Sequence, residues 1–300
     1  MAGWLVVNAD DLGVSRGATL GIIKAHRDGI VTSASLATTT DFYEHAVESC
    51  VRTCPELGIG LHFTLTSGKP VSYPADVPLL MDERGFFRWR FTSLVSAVSI
   101  RKREALIDQI GLEVESQLQK LLRDGITPDH IDGERHVHLI PGIFEKVVAA
   151  AHRHGVKFIR AGSDVARHWF PNAEVRALAL RGGFVRSWIL SGLSRRSRRL
   201  LGHGVVSADR VASYFGSGRM DLLKSDVLEQ PLASGVTEIM VHPGIPEESA
   251  GIDLGNHELE RYLLLEDRRR ELDFCIRAAK WIDRASLTNY TSLAAEVSRA

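Results

Sequence analysis

Short apolar runs alternate with longer amphipathic stretches along the whole chain. Trp4 to Asn8 is a strand-like run closed by a polar residue. Ser15 to Asp28 carries Leu20, Ile22, Ile23 and Ala25 at helical spacing before an Asp28-Gly29 stop. The strand signal returns at Thr32 to Thr39 and Ile59 to Leu65, with a helical stretch from Phe42 to Arg52 between them. Further strand candidates are His130 to Asp132, Lys157 to Ala161, Ala212 to Gly216 and Thr237 to His242. About seven strands separated by helices predict an α/β chain whose parallel sheet forms a closed or nearly closed (β/α) barrel. An open doubly wound sheet is the alternative. No repeat or low-complexity linker divides residues 1–300, so a single domain is expected. Residues 67–101, with Pro70, Pro74, Pro78 and Gly85, are expected to run over the barrel rim.

A barrel of this kind carries its chemistry on the loops after the C-terminal strand ends. Four of those ends are polar. The first runs into Asp10-Asp11, and adjacent carboxylates repel unless a cation or proton lies between them, which suits a metal ligand beside a base. One of the two could instead cap the following helix. His62 lies in an apolar run, as either a ligand or a hydrogen-bonded core histidine. In an extended segment, Asp132, Glu134, His136 and His138 would share one face. His242 ends a buried-strand pattern just ahead of Pro243-Gly244. Together these groups suit one divalent ion with nitrogen and oxygen ligands, with residues left over for proton transfer.

Composition narrows the partners. Lysine plus arginine equals aspartate plus glutamate at 37 each, so no global charge excess favours nucleic acid. Neither a phosphate-binding glycine loop nor a Gly-x-Ser-x-Gly elbow is present. Cys50, Cys54 and Cys275 form no Cys-x-x-Cys pair. With no signal-like start and no apolar stretch of roughly 20 residues, a cytoplasmic protein without a transmembrane segment is expected. Of 12 histidines, His62, His136, His138 and His242 fall beside carboxylates at strand ends, while His130 opens its strand and reads as structural. Val175 to Leu201 sets Leu178, Leu180, Phe184, Trp188, Ile189 and Leu190 against Arg195, Arg196, Arg198 and Arg199. The simpler reading is a barrel helix with a solvated basic end; the alternative is a membrane-surface contact, which would favour a glycolipid substrate.

The chain resembles the YdjC-like carbohydrate deacetylases, which include chitooligosaccharide and hopanoid-associated deacetylases. The matching stretches are Asn8 to Gly13, Asp28 to Ser33, Gly60 to Leu65 with Gly68-Lys69-Pro70, Asp132 to Pro141, and His242-Pro243-Gly244, in the family's order. The resemblance implies a distorted (β/α) barrel and metal-dependent hydrolysis of the N-acetyl group of an amino sugar. Asp11 and His62 would be metal ligands. The family's third ligand is a histidine, and in this chain that position is Glu134. A site with two carboxylates and one histidine would favour Mg2+ or Mn2+ over Zn2+, with Co2+ also admissible. Alternatively His136 or His138 takes the ligand role, or the protein is a silent sugar- or metal-binding member. Asp10 would act as general base and His242 would protonate the departing amine. Arg160, with His136 and His138, would contact sugar hydroxyls or tune His242; Arg160 is equally readable as structural. A metal-independent glycosidase is the rival from another class, separable by its survival in chelator. The sugar and the oligomeric state, a homodimer included, stay open.

Overall fold

A computed structural model describes residues 3–101, 103–164, 166–229, 234–283 and 286–297. Their strands are β1 (Trp4–Leu12), β2 (Ser33–Leu36), β3 (Gly58–Phe63), β4 (His130–Gly133), β5 (Phe158–Ile159), β6 (Ser163–Asp164), β7 (Arg210–Ala212) and β8 (Val236–Val241). All pair in parallel, in the order β5-β4-β3-β2-β1-β8-β7-β6. The helices are α1 (Arg16–Arg27), α2 (Tyr43–Ala46), α3 (Phe91–Val95), α4 (Glu104–Arg123), α5 (Ile143–His154), α6 (Asn172–Leu180), α7 (Gly183–Arg198), α8 (Ser225–Glu229), α9 (His257–Leu263), α10 (Glu266–Ala278) and α11 (Tyr290–Val297).

The sheet curls into a distorted barrel. β5 and β6 are halves of one broken strand, the first paired with β4 and the second with β7. Val206, just ahead of β7, bridges to Phe158 and closes the ring. Counted with that strand once, the eight segments fill seven positions, as the sequence pattern predicts. The strand expected at Ala212 to Gly216 instead lies earlier, at Arg210–Ala212. The Ser213 hydroxyl accepts the Met240 N–H at 2.9 Å, so a side chain takes over from the backbone ladder and the strand stops. Tyr214 and Phe215 are nonetheless buried, which gave this loop a strand-like apolar pattern. The single amphipathic stretch expected from Val175 to Leu201 is two helices, parted at Arg181 and Gly182.

Local sequence explains the elements that position the barrel's C-terminal end. Ser15 caps α1 by accepting the Ala18 N–H at 3.0 Å, a contribution of about 1 kcal/mol. The helix then packs flush on the turn after β8, because a Cβ on Gly21 would stand 2.5 Å from Gly244 Cα. The opposite end of the barrel is closed by α11, whose Tyr290 and Leu293 pack with Val6 and Phe158. No helix among the described residues is long and apolar enough to cross a membrane.

Candidate active site

Neighbouring residues of a regular strand face opposite sides, so Asp10 and Asp11 could not both enter one pocket. A β-bulge resolves this. The register of β1 against β2 shifts between Ala9 and Leu12, and Asp11 has φ 70. Both carboxylates thereby line a cavity of 230 Å³ with His62, Glu134, His136 and His242. The segment after β4 also depends on positive φ, here in a turn beyond the strand end. It is not extended as the sequence suggests: the strand ends at Gly133, and Arg135 (φ 49) and His136 (φ 60) turn left-handed. Glu134 and His136 reach the pocket through that turn. His138 goes beneath it, with Nε2 2.8 Å from the Arg160 carbonyl oxygen. Among the described residues, Asp11, Arg135 and His136 are the non-glycine positions with positive φ, and all three line this pocket. Strain of this kind, of order 1–3 kcal/mol each, persists where the surrounding structure enforces it.

Arg160 lies below the pocket floor and is not among its lining residues. Its guanidinium donates to both Asp10 oxygens at 2.6 and 2.7 Å and stands 2.7 Å from both Asp132 and Glu238. Four charged side chains are thus buried in one compensated cluster. Burial alone would raise the Asp10 pKa, but the Arg160 charge and hydrogen bonds hold it well below the usual carboxylate range. The same carboxylates, acting against burial, hold Arg160 charged.

Above this cluster stands His62. Its Nδ1 lies 2.7 Å from Asp132 Oδ1, and its Nε2 is 3.4 Å from Asp11 Oδ1. Burial works against the imidazolium, yet Asp132, Asp11 and Asp10 raise the His62 pKa well above its ordinary value. Asp11 is oriented from its other side, where Arg268 donates to Oδ2 at 2.7 Å. Thr66 donates to Glu134 Oε2 at 2.6 Å, whereas Glu134 Oε1 is buried without a hydrogen-bond partner. Burial raises the Glu134 pKa.

His242 is held by α10. Its backbone N–H donates to Glu271 Oε2 at 2.5 Å, and its Nδ1 stands 3.5 Å from the same oxygen. The second distance suits Coulomb attraction better than a strong hydrogen bond. Against the effect of burial, Glu271 raises the His242 pKa. His136, packed edge-on to Tyr214, differs: burial and then the Arg160 charge push it well below its ordinary value. Burial likewise lowers His138, to about 4.

Two donor groups share His62. Asp10, His62 and Asp132 offer atoms within 4.8 Å of one another, a buried group capable of holding a divalent ion. Arg160 already occupies both of its carboxylates, so an ion there would compete with a buried guanidinium. Asp11, His62 Nε2 and Glu134 also face the pocket, and Glu134 Oε1, which has no hydrogen bond and only the Arg135 Nε ion pair at 3.9 Å, supplies a hard donor. Glu238, Arg268, Glu271 and Tyr262, whose ring lines the pocket 5.8 Å from that of His242, escaped sequence reading. The available signal was a charge inside the apolar run Val236–Val241.

Carboxylates and histidines gathered at the C-terminal strand ends of a parallel barrel define an enzyme site with acid–base and metal-ligating capacity. A family model described as YdjC-like protein matches residues 4–280, and the chain belongs to that family. It is 33% identical to a carbohydrate deacetylase of Thermoanaerobacter pseudethanolicus over 88% of this chain and 91% of that one. It is 32% identical to a chitooligosaccharide deacetylase of Proteus mirabilis, covering 81% and 82% of the two chains. A carbohydrate deacetylase of Brevibacillus brevis is 42% identical, over 51% of this chain and 57% of its own length. A solved structure from Enterococcus faecalis V583, provisionally described as a cellobiose-phosphate cleavage protein, superposes with a TM-score of 0.68. It has 25% identity and covers 98% of this chain and 99% of that one.

Proposed function

We propose that this protein is a carbohydrate deacetylase that hydrolyses the N-acetyl group of an amino sugar and releases acetate. The observation that carries the reading is that Asp11, His62 and Glu134 line one pocket together with Asp10 and His242, with Glu134 Oε1 free of hydrogen bonds. The names of the deacetylase relatives support it.

Asp11, His62 through Nε2, and Glu134 would hold a divalent ion, with Mg2+ favoured by two carboxylate ligands and Mn2+, Zn2+ or Co2+ admissible. When bound, such an ion supplies Lewis acidity that acidifies water and polarises the amide carbonyl. His62 must shed its Nε2 proton to coordinate, and its Nδ1 contact with Asp132 fixes the ring while it does so. Asp10 stays ionised at any working pH and accepts the proton of the attacking water. Its pairing with Arg160 lowers its basicity, a cost offset when the water is itself acidified. Arg160 therefore acts by holding Asp10 and Asp132 in place. His242, whose hold on a proton Glu271 strengthens, gives its proton to the departing amine. His136, neutral and at the pocket wall, is suited to sugar hydroxyls.

Acetate release from a panel of N-acetylated sugars, with Mg2+, Mn2+, Zn2+ or Co2+ added to chelator-treated protein, tests the reading. A glycosidase would cleave without metal, and a silent member would release no acetate with any of the ions. The location that fits this reading is the cytoplasm.

A further inference from the structure

Between Glu174 and Asp209 the sequence contains seven arginines, Arg176 to Arg199, and no carboxylate, although the whole chain is neutral. This stretch builds α7 and the part of α6 that follows Glu174, the acidic residue of its first turn. Phe184, Val185, Trp188 and Arg195 follow helical spacing along one outward stripe of α7, continued by Arg199 just past its end, apolar in the first two turns and basic at the last. Phe184 packs on Phe215, but Trp188 is 75% exposed and Val185 62%, and Leu180 at the end of α6 is 83% exposed. Arg196 and Arg198 pair with Glu145 and Asp209, but Arg176, Arg195 and Arg199 have no carboxylate within ion-pair distance among the described residues. The inner face of α7 leads to the active site. It packs on the 134–139 turn, and Val185, at the edge between the two faces, joins Ile189 and Phe91 in lining a largely apolar trough of 730 Å³ that shares Arg135, His136, Ser217 and Glu258 with the reaction pocket.

We infer that the outward face of α6 and α7 docks on an anionic lipid bilayer. Exposed Trp188, Leu180 and Val185 enter the interface, where a Trp ring has both an apolar body and a polar N–H to place. The unpaired Arg176, Arg195 and Arg199 meet anionic headgroups, and the absence of any carboxylate from α7 limits the repulsion such a surface would otherwise feel. This charge complementarity favours a bilayer over a second copy, whose identical face would bring arginine against arginine. Docking of this kind is peripheral and reversible, and it brings the mouth of the trough to the headgroup plane. It does not depend on the reaction proposed above.

Co-sedimentation of the full chain with vesicles tests it. The chain should pellet with equimolar phosphatidylcholine and phosphatidylglycerol, pellet far less with phosphatidylcholine alone, and be released by high salt. A Trp188→Glu, Val185→Glu variant, changed at exposed positions and checked by circular dichroism, should lose about tenfold or more of its bound fraction. An Arg195→Gln, Arg199→Gln variant should lose the preference for anionic vesicles. No pelleting with anionic vesicles, or equal pelleting by the Trp188→Glu, Val185→Glu variant, would overturn the inference. So would light scattering that shows a dimer dissociated by the same variant, since the patch would then be covered by a second copy.

Discussion

The two ends of this barrel each bury a histidine against a carboxylate, and only one of them is built to react. At the C-terminal end His62 lies 2.7 Å from Asp132, while its Nε2 faces Asp11 and a pocket lined by unsatisfied groups. At the N-terminal end His130 lies 2.6 Å from Asp129, and its ring packs 4.6 Å from Tyr290 under α11. A Cβ on Gly60 would stand 2.3 Å from that ring, so the space around His130 is filled. Both histidines have raised pKa values, each against the effect of burial. A perturbed histidine beside a carboxylate is therefore not sufficient evidence of chemistry. What separates the ends is backbone strain and access to a pocket, both of which gather at His62; a buried nitrogen without a hydrogen bond does not, since His130 Nε2 is one as well.

Substitutions at the two ends should separate turnover from stability. The largest effect is expected from Arg160→Met, which leaves Asp10, Asp132 and Glu238 buried without their cation. Urea unfolding should show a loss of roughly 3–5 kcal/mol, with turnover lost as well. A near-native midpoint would mean the cluster is not the keystone of the floor. Asp10→Asn should lower acetate release by about 10²–10⁴-fold while leaving bound metal, measured by elemental analysis, unchanged. Retained turnover would remove Asp10 from the proton path.

At the closed end, Asp129→Asn should cost about 1–3 kcal/mol and leave turnover at the native level. The His130 pKa is raised above its ordinary 6.5, so the stabilisation it gains from Asp129 is complete below 6.5 and fades as pH rises through the folded value. The deficit of the variant, followed by thermal unfolding, should accordingly be greatest in acid and shrink toward alkaline pH. The smallest effect is expected from Glu271→Gln. Removing that charge lowers the His242 pKa, so the alkaline limb of the pH–rate profile should move to lower pH with little change in KM. An unmoved limb would assign it to another group.

Much of this contrast is legible in the sequence because polar residues at strand ends stand out against apolar runs. Asp10, Asp11, His62, Glu134, His136 and His242 all line the pocket. His138 and Arg160 lie outside its lining, and simple alternation could not show this: two left-handed residues reset the direction of the chain after Gly133, and the strand carrying Arg160 breaks at that point. The partners that tune the site were hidden for a different reason. Arg268 and Glu271 sit in Glu266 to Asp273, a stretch charged on nearly every side, so the two that turn inward carry no local mark. Their contacts with Asp11 and His242 span 257 and 29 residues of chain and exist only once the barrel has closed.

Metal-dependent deacetylation at the open end is tested most directly by acetate release from N-acetylated amino sugars before chelation, in chelator, and after a divalent ion is restored. The site described here predicts release that disappears in chelator and returns with Mg2+ or another divalent ion. Release undiminished by chelator, or cleavage of the sugar chain with no acetate formed, would contradict it.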